Sequence, residues 1–550
     1  MPNIEFEGKW NVYAAHLVTP FRPLIPDTKK SIPQGKAQAD KPSTEGNLII
    51  QGDNLHALRA LLPRYAGRIH CVYIDPPYNT GNEGWCYNDN LNSPLMKRWL
   101  KENGAVDLED EERHDKWLCM MWPRLQLLRE LLAEDGVIFI TVDDNEQHRL
   151  RMVMDEIFGE DNFLACISWE KRYTRNNNAK MFTSVVDKLV VYRKSELLDF
   201  LREPRNTKAD EIYDNPDNDP RGPWTSVSYV NPATREQRPN LVYTIINPCT
   251  KKEVRHPTNA WKFEPSEHQK HVLENRLWWG KTGKNKFPRL KKFLSEVSDG
   301  LVPVDLWKHE DSGTTDEGSL ELERILGRAK FDNPKPTRLI KRIIRLCPHD
   351  NPIVLDSFAG SGTTAQAVLE LNKEDEGLRK FILVECEDYA NKITAERIRR
   401  VIKGIKNTKD GNLQQGLGGG FTYCTLGEAL DIESMLSGEN LPDYETIARC
   451  IAHNYTGLAL DKVKKGKDWL FAETDRHCLH LIYKPDLKFL ENATEAALTF
   501  ELSERIGKAA VRKNKEALVF ASHKFMSQKD LRYHKVTFCQ IPYSVFGTAG

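Results

Sequence analysis

The sequence predicts an α/β protein built on a mostly parallel, doubly wound sheet. Apolar runs of strand length alternate with amphipathic stretches of helix length in two parts of the chain, which a polar insert divides. When strands and helices alternate in this way, the helices cross over between parallel strands and lie on both faces of the sheet. The predicted strands are 48–50, 71–74 and 137–142 in the first part, and 353–355 and 381–384 in the second. The predicted helices are 53–62, 117–132, 337–345, 363–371 and 389–402.

This alternation and the composition divide the chain into five predicted segments. The first, 1–46, is an extended leader, because five prolines between positions 20 and 42 exclude a helix there. The polar insert is rich in Asn, Pro, Trp and basic residues, and a glycine-rich joint at 411–420 precedes the last segment. The other four segments are α/β halves at 47–170 and 301–405, the insert at 171–300, and a small C-terminal α/β domain at 406–550.

The composition indicates a globular, cytoplasmic protein. The chain has 550 residues, 40% of them hydrophobic and 29% charged, without an apolar run long enough to span a membrane or a visible signal peptide. Eleven cysteines without a CxxC pair favour reduced thiols over disulfides or a zinc site. The 79 basic and 79 acidic side chains give zero net charge, which by itself argues against a nucleic-acid partner.

The first motif with chemical meaning is Asp75-Pro76-Pro77-Tyr78, which follows the predicted strand 71–74. Open α/β sheets bind ligands at the carboxyl ends of their strands, so Asp75 is expected at a ligand-binding edge. The Asp75 carboxylate and the Pro76 carbonyl offer two acceptors to a planar exocyclic amine. Tyr78 offers a ring that can stack on a base taken out of its helix. The alternative is a proline-stiffened turn that binds nothing.

The second motif is the run Asp-Ser-Phe-Ala-Gly-Ser-Gly-Thr at 356–363, which leads from a predicted strand into a helix. Gly360 and Gly362 allow a ligand to approach the backbone, and the helix start presents N–H groups to it. A phosphate or dinucleotide site is the competing interpretation, but the third glycine of the dinucleotide pattern and the lysine of a P-loop are absent. Glu385, at the end of the next strand, could bind ribose hydroxyls or be a solvated charge.

Together the two motifs resemble those of amino-group DNA methyltransferases. The run at 75–78 resembles the catalytic motif of that family, and 358–362 resembles its S-adenosylmethionine motif. The catalytic motif comes first, as in the permuted beta group of adenine-N6 enzymes. The segments similar to modification subunits of type III restriction systems are 136–146, 156–160, 221–224 and 331–337. The resemblance implies a Rossmann-like, S-adenosylmethionine-dependent methyltransferase core with circularly permuted motif order and an inserted target-recognition domain.

The resemblance also implies roles for individual residues. Asp75 and Pro76 would accept hydrogen bonds from the N6 amine of a flipped adenine, and Pro77 would keep the turn rigid. Tyr78 would stack on the base, and transfer would be a direct displacement without a metal, with positioning as the main catalytic device. The implied cofactor-binding residues are Asp53, Asn54, Lys335, Pro336, Asp356, Phe358, Gly360, Gly362, Thr363 and Glu385. Asp53 could instead be a plain helix cap.

The insert is the predicted target-recognition region. Residues 251–300 carry 12 basic side chains against 6 acidic ones. The zero net charge of the whole chain therefore results from basic and acidic segments that cancel each other. Basic clusters neutralise phosphates, and Trp278 and Trp279 could stack on bases, although a solvated basic face is the alternative for any such run. The candidate DNA-binding residues are Lys171, Arg172, Arg175, Lys180, Lys281, Lys284, Lys286 and Arg289.

The function implied by the resemblance is methyl transfer to adenine N6 in double-stranded DNA by the modification subunit of a type III-like system. A homodimer is expected, and the C-terminal domain would dimerise the protein or dock a restriction (helicase–nuclease) subunit. The alternatives are a cytosine-N4 or solitary adenine methyltransferase, an enzyme acting on RNA or protein glutamine, and a catalytically silent DNA-binding subunit. A covalent cytosine-C5 route is disfavoured, because the only Pro-Cys pair, at 248–249, lies outside the α/β segments.

Overall fold

Two compact units make up the chain in the computed structural model: Met1–Leu201 with Val304–Gly550, and Arg202–Pro303. The structure describes residues 3–33, 43–80, 113–175, 181–205, 210–297, 300–328, 331–406, 408, 410–430, 441–458, 460–492 and 494–541. The ten cysteines in these ranges carry free thiols. Across the same ranges, no helix is both long and apolar enough to cross a membrane.

Strands and helices alternate along the first unit, whereas short strands dominate the second. The strands are β1 Leu24–Pro26, β2 Leu48–Gln51, β3 Ile69–Ile74, β4 Leu132–Val142, β5 Phe163–Glu170, β6 Val186–Arg193, β7 Trp224–Ser228, β8 Val230–Thr234, β9 Ile245–Ile246, β10 Glu253–Val254, β11 Asn259–Trp261, β12 Leu277–Trp278, β13 Arg289–Phe293, β14 Leu306–Trp307, β15 Ile353–Asp356, β16 Lys380–Glu385, β17 Thr422–Leu426, β18 Leu470–Glu473, β19 His477–Ile482, β20 Ala497–Leu498, β21 Glu516–Ala521, β22 His523–Lys524 and β23 Val536–Gln540. The α-helices are α1 Lys9–Val12, α2 Ala15–Val18, α3 Asn54–Tyr65, α4 Arg113–Leu131, α5 Gln147–Phe158, α6 Pro265–Leu273, α7 His309–Ser312, α8 Thr315–Leu326, α9 Thr337–Leu346, α10 Thr363–Asp375, α11 Glu396–Lys403, α12 Gly411–Gln415, α13 Tyr444–Thr456, α14 Leu487–Glu491, α15 Phe500–Arg512 and α16 Gln528–His534.

The first unit is built on a ten-stranded sheet with the order β1-β17-β2-β16-β15-β3-β4-β6-β5-β14. The strands from β17 to β4 are all parallel, and β6 is antiparallel to both of its neighbours. The chain passes from β15 to β16 in one direction and from β3 to β4 in the other, so the winding reverses between β15 and β3. The predicted mostly parallel, doubly wound α/β fold is confirmed.

Two buried cores cover the faces of this sheet. On one face, Leu55, Trp117 and Leu150 belong to α3, α4 and α5. On the other face, Ile340 and Val368 belong to α9 and α10. These side chains are almost fully buried, and each such apolar side chain contributes roughly 1.5–3 kcal/mol to folding. The crossover helices therefore lie on both faces, as the alternation of strands and helices predicts.

The boundary of the insert differs from the one that the sequence predicts. Residues 171–201 belong to the first unit, because β6 pairs with β4 on one side and β5 on the other. The compact second unit is Arg202–Pro303. Residues 189–192 form a buried run of apolar and aromatic side chains, but Lys188 and Arg193 on either side make the strand hard to recognise in the sequence. Part of the predicted leader, β1, also joins the sheet through β17.

The second unit surrounds a small aromatic core. Strands β12, β13 and β7 form an antiparallel sheet, and Tyr229, Trp261 and Trp279 pack in the core. Trp279 is only 3% exposed, so its ring lies in this core and is not free to stack on bases as the sequence predicts. The ring of Trp278 packs edge-on against Trp224, at a centroid distance of 5.0 Å.

The C-terminal segment forms a four-stranded sheet with the order β18-β19-β21-β23. Strands β19, β21 and β23 are parallel. This sheet belongs to the first unit, in which His453 of α13 links it to the core. The His453 ring forms hydrogen bonds with the Thr44 hydroxyl at 2.9 Å and with the Ala60 carbonyl at 3.0 Å.

Candidate active site

The candidate site lies at the carboxyl edge of the parallel strands. The adjacent strands β2, β16, β15 and β3 end there, and an acid lies at or just after each end. These acids are Asp53, Glu385, Asp356 and Asp75. The strand order therefore brings together four predicted site residues at the point where the winding of the sheet reverses, a usual place for ligands in open α/β sheets.

Asp75 follows the last residue of β3 and forms an ion pair with Lys335. The Nζ atom of Lys335 donates to Oδ2 of Asp75, and Lys335 is buried. The second carboxylate oxygen, Oδ1, is also buried and has no hydrogen-bond partner within the described part of the chain. Burial raises the pKa of Asp75, and the Lys335 ammonium opposes that rise. One oxygen of the Asp75 carboxylate is thus engaged, and the other is a vacant acceptor.

The Tyr78 ring is held from two sides. Its hydroxyl donates to Oδ2 of Asp187 at 3.1 Å, and the Nζ atom of Lys335 lies 5.1 Å from the ring centroid. The Nζ atom of Lys171 donates to Oδ1 of Asp187 at 2.6 Å. Burial, and then the Asp75 and Asp187 carboxylates, raise the pKa of Tyr78 well above its usual value. The hydroxyl therefore keeps its proton and acts as a donor.

Asn79, directly after the motif, anchors the turn in the core. It adopts a left-handed backbone with a φ of 60°, and its Nδ2 atom donates to Oε1 of Glu146 at 2.5 Å. The Nδ1 atom of His114 contacts the same carboxylate oxygen. On the other side of the turn, Nε1 of Trp117 donates to the Pro77 carbonyl at 2.7 Å. These contacts fix the backbone of the turn that contains Asp75-Pro76-Pro77-Tyr78.

The glycine turn between β15 and α10 approaches its surroundings closely. Gly360 and Gly362 have φ values of 51° and 82°, a region that favours glycine. The Gly360 N–H donates to Oε2 of Glu385 at 2.7 Å, and a Cβ at Gly360 would lie 2.9 Å from Cζ of Phe331. Glu385, the predicted ribose ligand, is therefore buried and tied to this turn, and its burial raises its pKa.

Asp356 lies at the end of β15, where the turn begins. Oγ1 of Thr364 donates to its Oδ2 at 2.5 Å, and the Phe358 N–H donates to its Oδ1 at 3.1 Å. Burial nevertheless raises the pKa of Asp356 to about 7, because the desolvation cost outweighs these hydrogen bonds. The carboxyl therefore exchanges its proton near neutral pH. Phe358 itself is half-buried against the core.

Asp53 and Asn54 fix the start of α3. Oδ1 of Asp53 accepts from the Leu55 N–H at 2.8 Å, as the helix-cap alternative predicts. The Nδ2 atom of Asn54 donates to the Ser357 carbonyl at 2.9 Å, and Nε of Arg124 donates to Oδ1 of Asn54. Both residues thus support the region around the glycine turn, and their contact with a cofactor stays a prediction.

Thr363 links the two predicted cofactor segments. Its Oγ1 donates to the Lys335 carbonyl at 3.1 Å and accepts from Nη1 of Arg397 at 2.8 Å. The same Arg397 nitrogen donates to Oγ of Ser361 at 2.9 Å. Arg397 is fully buried, which is rare for an arginine and requires polar partners of this kind. Its hydrogen bonds to Ser361 and Thr363 stabilise the glycine turn.

Lys335 and Pro336 lie between α8 and α9, and Pro336 is the N-cap of α9. Gly318 of α8 packs directly on this segment, since a Cβ at Gly318 would lie 2.1 Å from the carbonyl oxygen of Pro334. The close approach of the helix sets the backbone position from which Lys335 reaches Asp75.

The predicted DNA-binding residues fall in both units. Lys171 follows β5 and forms its ion pair with the buried Asp187. Lys180 lies outside the described residues. The exposed members are Arg172 and Arg175 in the first unit and Lys281, Lys284, Lys286 and Arg289 in the second. Their contact with DNA stays a prediction.

Three buried residues of the site are missing from the sequence predictions: Asp187, Glu146 and Arg397. Glu146 closes the segment 136–146, whose resemblance to type III subunits is a usable signal. Asp187 and Arg397 carry no such signal, because their partners lie 109 and 34 positions away in the sequence.

Comparisons with known proteins find similarity to DNA methylases and to Mod subunits of restriction-modification enzymes. The family model described as DNA methylase matches residues 69–396. The Mod subunit of the type III restriction-modification enzyme StyLTI from Salmonella typhimurium is 32% identical over 385 residues, 66% of this chain and 57% of that protein. The EcoPI Mod subunit of Escherichia phage P1 is 30% identical over 440 residues, covering 70% of this chain and 67% of its own length. The type II methyltransferase M.KpnI of Klebsiella pneumoniae is 31% identical over 363 residues, covering 62% and 81% of the two chains.

Proposed function

The chain belongs to the DNA methylase family, and we propose that it transfers a methyl group from S-adenosylmethionine to the N6 amine of adenine in duplex DNA. The observation that carries this proposal is the vacant, buried Oδ1 atom of Asp75 at the start of a rigid Pro-Pro turn. An exocyclic amine has two N–H donors, and the Asp75 carboxylate and the Pro76 carbonyl are neighbouring acceptors for them.

The residues of the chain would act mainly by positioning. Asp75 and Pro76 hold the two N–H groups, and the nitrogen lone pair is then directed at the methyl group that it attacks. Tyr78 stacks on the extruded base. Lys335 occupies one oxygen of Asp75, so the other stays available to the amine. The Asp75 carboxylate, whose pKa burial raises, is placed to take the proton that the amine releases after transfer.

S-adenosylmethionine supplies an electrophilic methyl group on a cationic sulfonium. The site fits such a group, because four acids lie at one edge of the sheet and burial raises the pKa of three of them. A cation placed among them would lower these pKa values again. The residues that would hold the cofactor are Asp53, Asn54, Lys335, Pro336, Asp356, Phe358, Gly360, Gly362, Thr363 and Glu385.

We further infer that the chain is the modification subunit of a type III-like restriction-modification system. The similarity to two Mod subunits supports this, although the matched part of the chain spans only 57% and 67% of their length. Double-stranded DNA would then be the substrate, and a second copy of this chain and a restriction (helicase–nuclease) subunit the partners. The exposed basic residues named above would contact DNA phosphates.

Methylation-sensitive long-read sequencing of DNA from cells that express the chain tests this function, because it reports the modified base and the recognition sequence together. Methylated adenine within one sequence is the expected result. Methylated cytosine would overturn the choice of adenine, since cytosine-N4 transfer uses the same amine geometry. DNA without any modification would overturn the proposed activity.

The Asp75→Ala variant tests the mechanism. It removes the vacant acceptor but leaves the turn anchored by Asn79 and Trp117, so transfer should be lost while the protein still folds and binds S-adenosylmethionine. The melting temperature should fall, because the buried Lys335 loses its ionic partner. Calorimetry measures S-adenosylmethionine binding and the melting temperature, and methylation of the mapped sequence measures transfer. Asp350→Ala is the matched control, because this exposed acid precedes β15 at the opposite edge of the sheet and should not affect transfer. Near-normal transfer by Asp75→Ala would contradict the mechanism.

A further inference from the structure

Asp187 is a buried carboxylate to which the proposed reaction assigns no task. It is the second residue of β6, is 3% exposed, and accepts from the Tyr78 hydroxyl and the Lys171 ammonium on its two oxygens. We propose that Asp187 is a positioning residue for methyl transfer, which accepts the hydrogen bond of the Tyr78 hydroxyl and so keeps Asp75 free for the substrate amine. This inference rests on the proposed function and deepens it.

The Tyr78 hydroxyl has one proton to donate and two carboxylates close to it. Asp75 and Asp187 both raise the pKa of this hydroxyl, and the hydroxyl in turn lowers the pKa of Asp75, so both carboxylates lie within its reach. The hydroxyl donates to Oδ2 of Asp187 at 3.1 Å, while Oδ1 of Asp75 has no partner in the described part of the chain. A phenol that donated to Asp75 instead would occupy the acceptor that the substrate amine requires. Asp187 therefore determines which of the two carboxylates accepts the hydrogen bond of the Tyr78 hydroxyl.

Lys171 is the cationic partner of Asp187. Its Nζ atom lies 2.6 Å from Oδ1 of Asp187, and a carboxylate as buried as this one is strongly destabilised without a cationic partner. Lys171 is thereby assigned to the Tyr78–Asp187 pair and not to a DNA phosphate. Its neighbour Arg172 is exposed and remains the candidate for a phosphate contact.

The Asp187→Asn variant reverses the hydrogen bond to Tyr78 with little change of shape. Lys171 can donate only to the amide oxygen, so the amide NH₂ faces Tyr78 and donates to its hydroxyl. The phenol proton must then turn elsewhere, and Asp75 is the acceptor within reach. Single-turnover transfer to a duplex with the mapped recognition sequence should slow by roughly 10- to 100-fold. S-adenosylmethionine affinity and the melting temperature should stay close to wild type.

The Tyr78→Phe variant distinguishes a positioning role of Asp187 from a purely structural one. It keeps the ring but removes the hydroxyl proton that would compete with the substrate amine for Asp75. Adding Asp187→Asn to Tyr78→Phe should cause no further loss, so the two effects should be strongly non-additive. If Asp187 only supported the fold, the substitution would slow transfer equally in both backgrounds, and that result would overturn the proposal. A wild-type rate for Asp187→Asn alone would overturn it too.

A second pair of variants tests Lys171 and does not depend on the folding of Asp187→Asn. Lys171→Met should slow the transfer step and leave the salt dependence of DNA binding unchanged. Arg172→Met should instead reduce the slope of log affinity against log salt by about 1, the value for one phosphate contact. A reduced slope with a normal transfer rate in Lys171→Met would overturn its assignment.

Unmethylated DNA with the wild type would refute the proposed function, whereas an active wild type with unaffected variants would refute the positioning role alone.

Discussion

Asp356→Asn should remove a pH dependence of stability that originates in the candidate site. Burial raises the pKa of Asp356 to about 7, against a usual value of 3.8. The folded protein therefore keeps a proton that the unfolded chain releases above about pH 4. Because its folded-state pKa is the higher one, the group stabilises the fold fully below pH 4 and loses that contribution as pH rises through about 7.

The size of the effect follows from the rise in pKa. A rise of about three pH units, at about 1.4 kcal/mol for each, makes the wild type roughly 4 kcal/mol less stable than the variant at pH 8. Below pH 4 the two proteins should be alike. The amide suits the site, since its oxygen can accept from the Phe358 N–H and its NH₂ can donate to Oγ1 of Thr364, the two groups that Asp356 contacts.

Urea unfolding in steps of about one pH unit between about pH 4 and 8 measures this difference. Circular dichroism would follow the unfolding transition of each protein, with no cofactor added. Asp350→Asn serves as control, because this residue is exposed and its variant should follow the wild type throughout. A difference in unfolding free energy between Asp356→Asn and wild type that stays constant with pH would refute the reasoning, since only the titration of a buried carboxyl produces the expected slope.

Two further predictions concern the support of the site and the binding of DNA. Gly318→Ala places a Cβ 2.1 Å from the Pro334 carbonyl, so it should cost about 1–3 kcal/mol in thermal unfolding and slow methyl transfer, on the order of 100-fold for a 1 Å displacement of Lys335. Gly411→Ala, at the open first turn of α12, should cost nothing; equal effects of the two changes would contradict the packing argument. Lys284→Glu combined with Lys286→Glu should weaken DNA binding and flatten its salt dependence, and an unchanged salt slope would remove these residues from the interface.

The sequence predicts the sheet and the strand-end residues well, because both depend on local patterns. Apolar runs locate β2, β3, β15 and β16, and the short motifs after them locate Asp75 and Gly360. Parallel pairing of these strands then brings the motifs to one edge without further information. Strand β6 cannot be located by the same reasoning, since Lys188 and Arg193 flank its short apolar run and its place in the sheet depends on pairing with β4 and β5.

The supporting residues of the site could not be predicted in this way. Lys335 carries a predicted role near the cofactor, yet its ammonium pairs with Asp75, at a sequence separation of 260 residues. Asp187 and Arg397 look like ordinary charges of a strand and a helix, and only the fold shows that both are buried beside the motifs. For Trp279 the sequence predicts a functional role where the structure shows a core residue. An aromatic ring in a basic segment is as compatible with a small core as with a nucleic-acid surface.

The raised pKa values of Asp75, Asp356 and Glu385 have one physical cause and one consequence for function. Each acid is buried at the same edge, and Asp75 and Glu385 further raise the pKa of Asp356. Without a cation among them, ionising these groups destabilises the fold, and Lys335 offsets this for Asp75 alone. A cationic cofactor would relieve the remaining repulsion, so burial of these acids would lower the stability of the fold and raise its affinity for that cofactor. The same argument explains why zero net charge is uninformative here: the acids buried at the sheet edge and the exposed lysines and arginines of the insert cancel in the total while occupying different places.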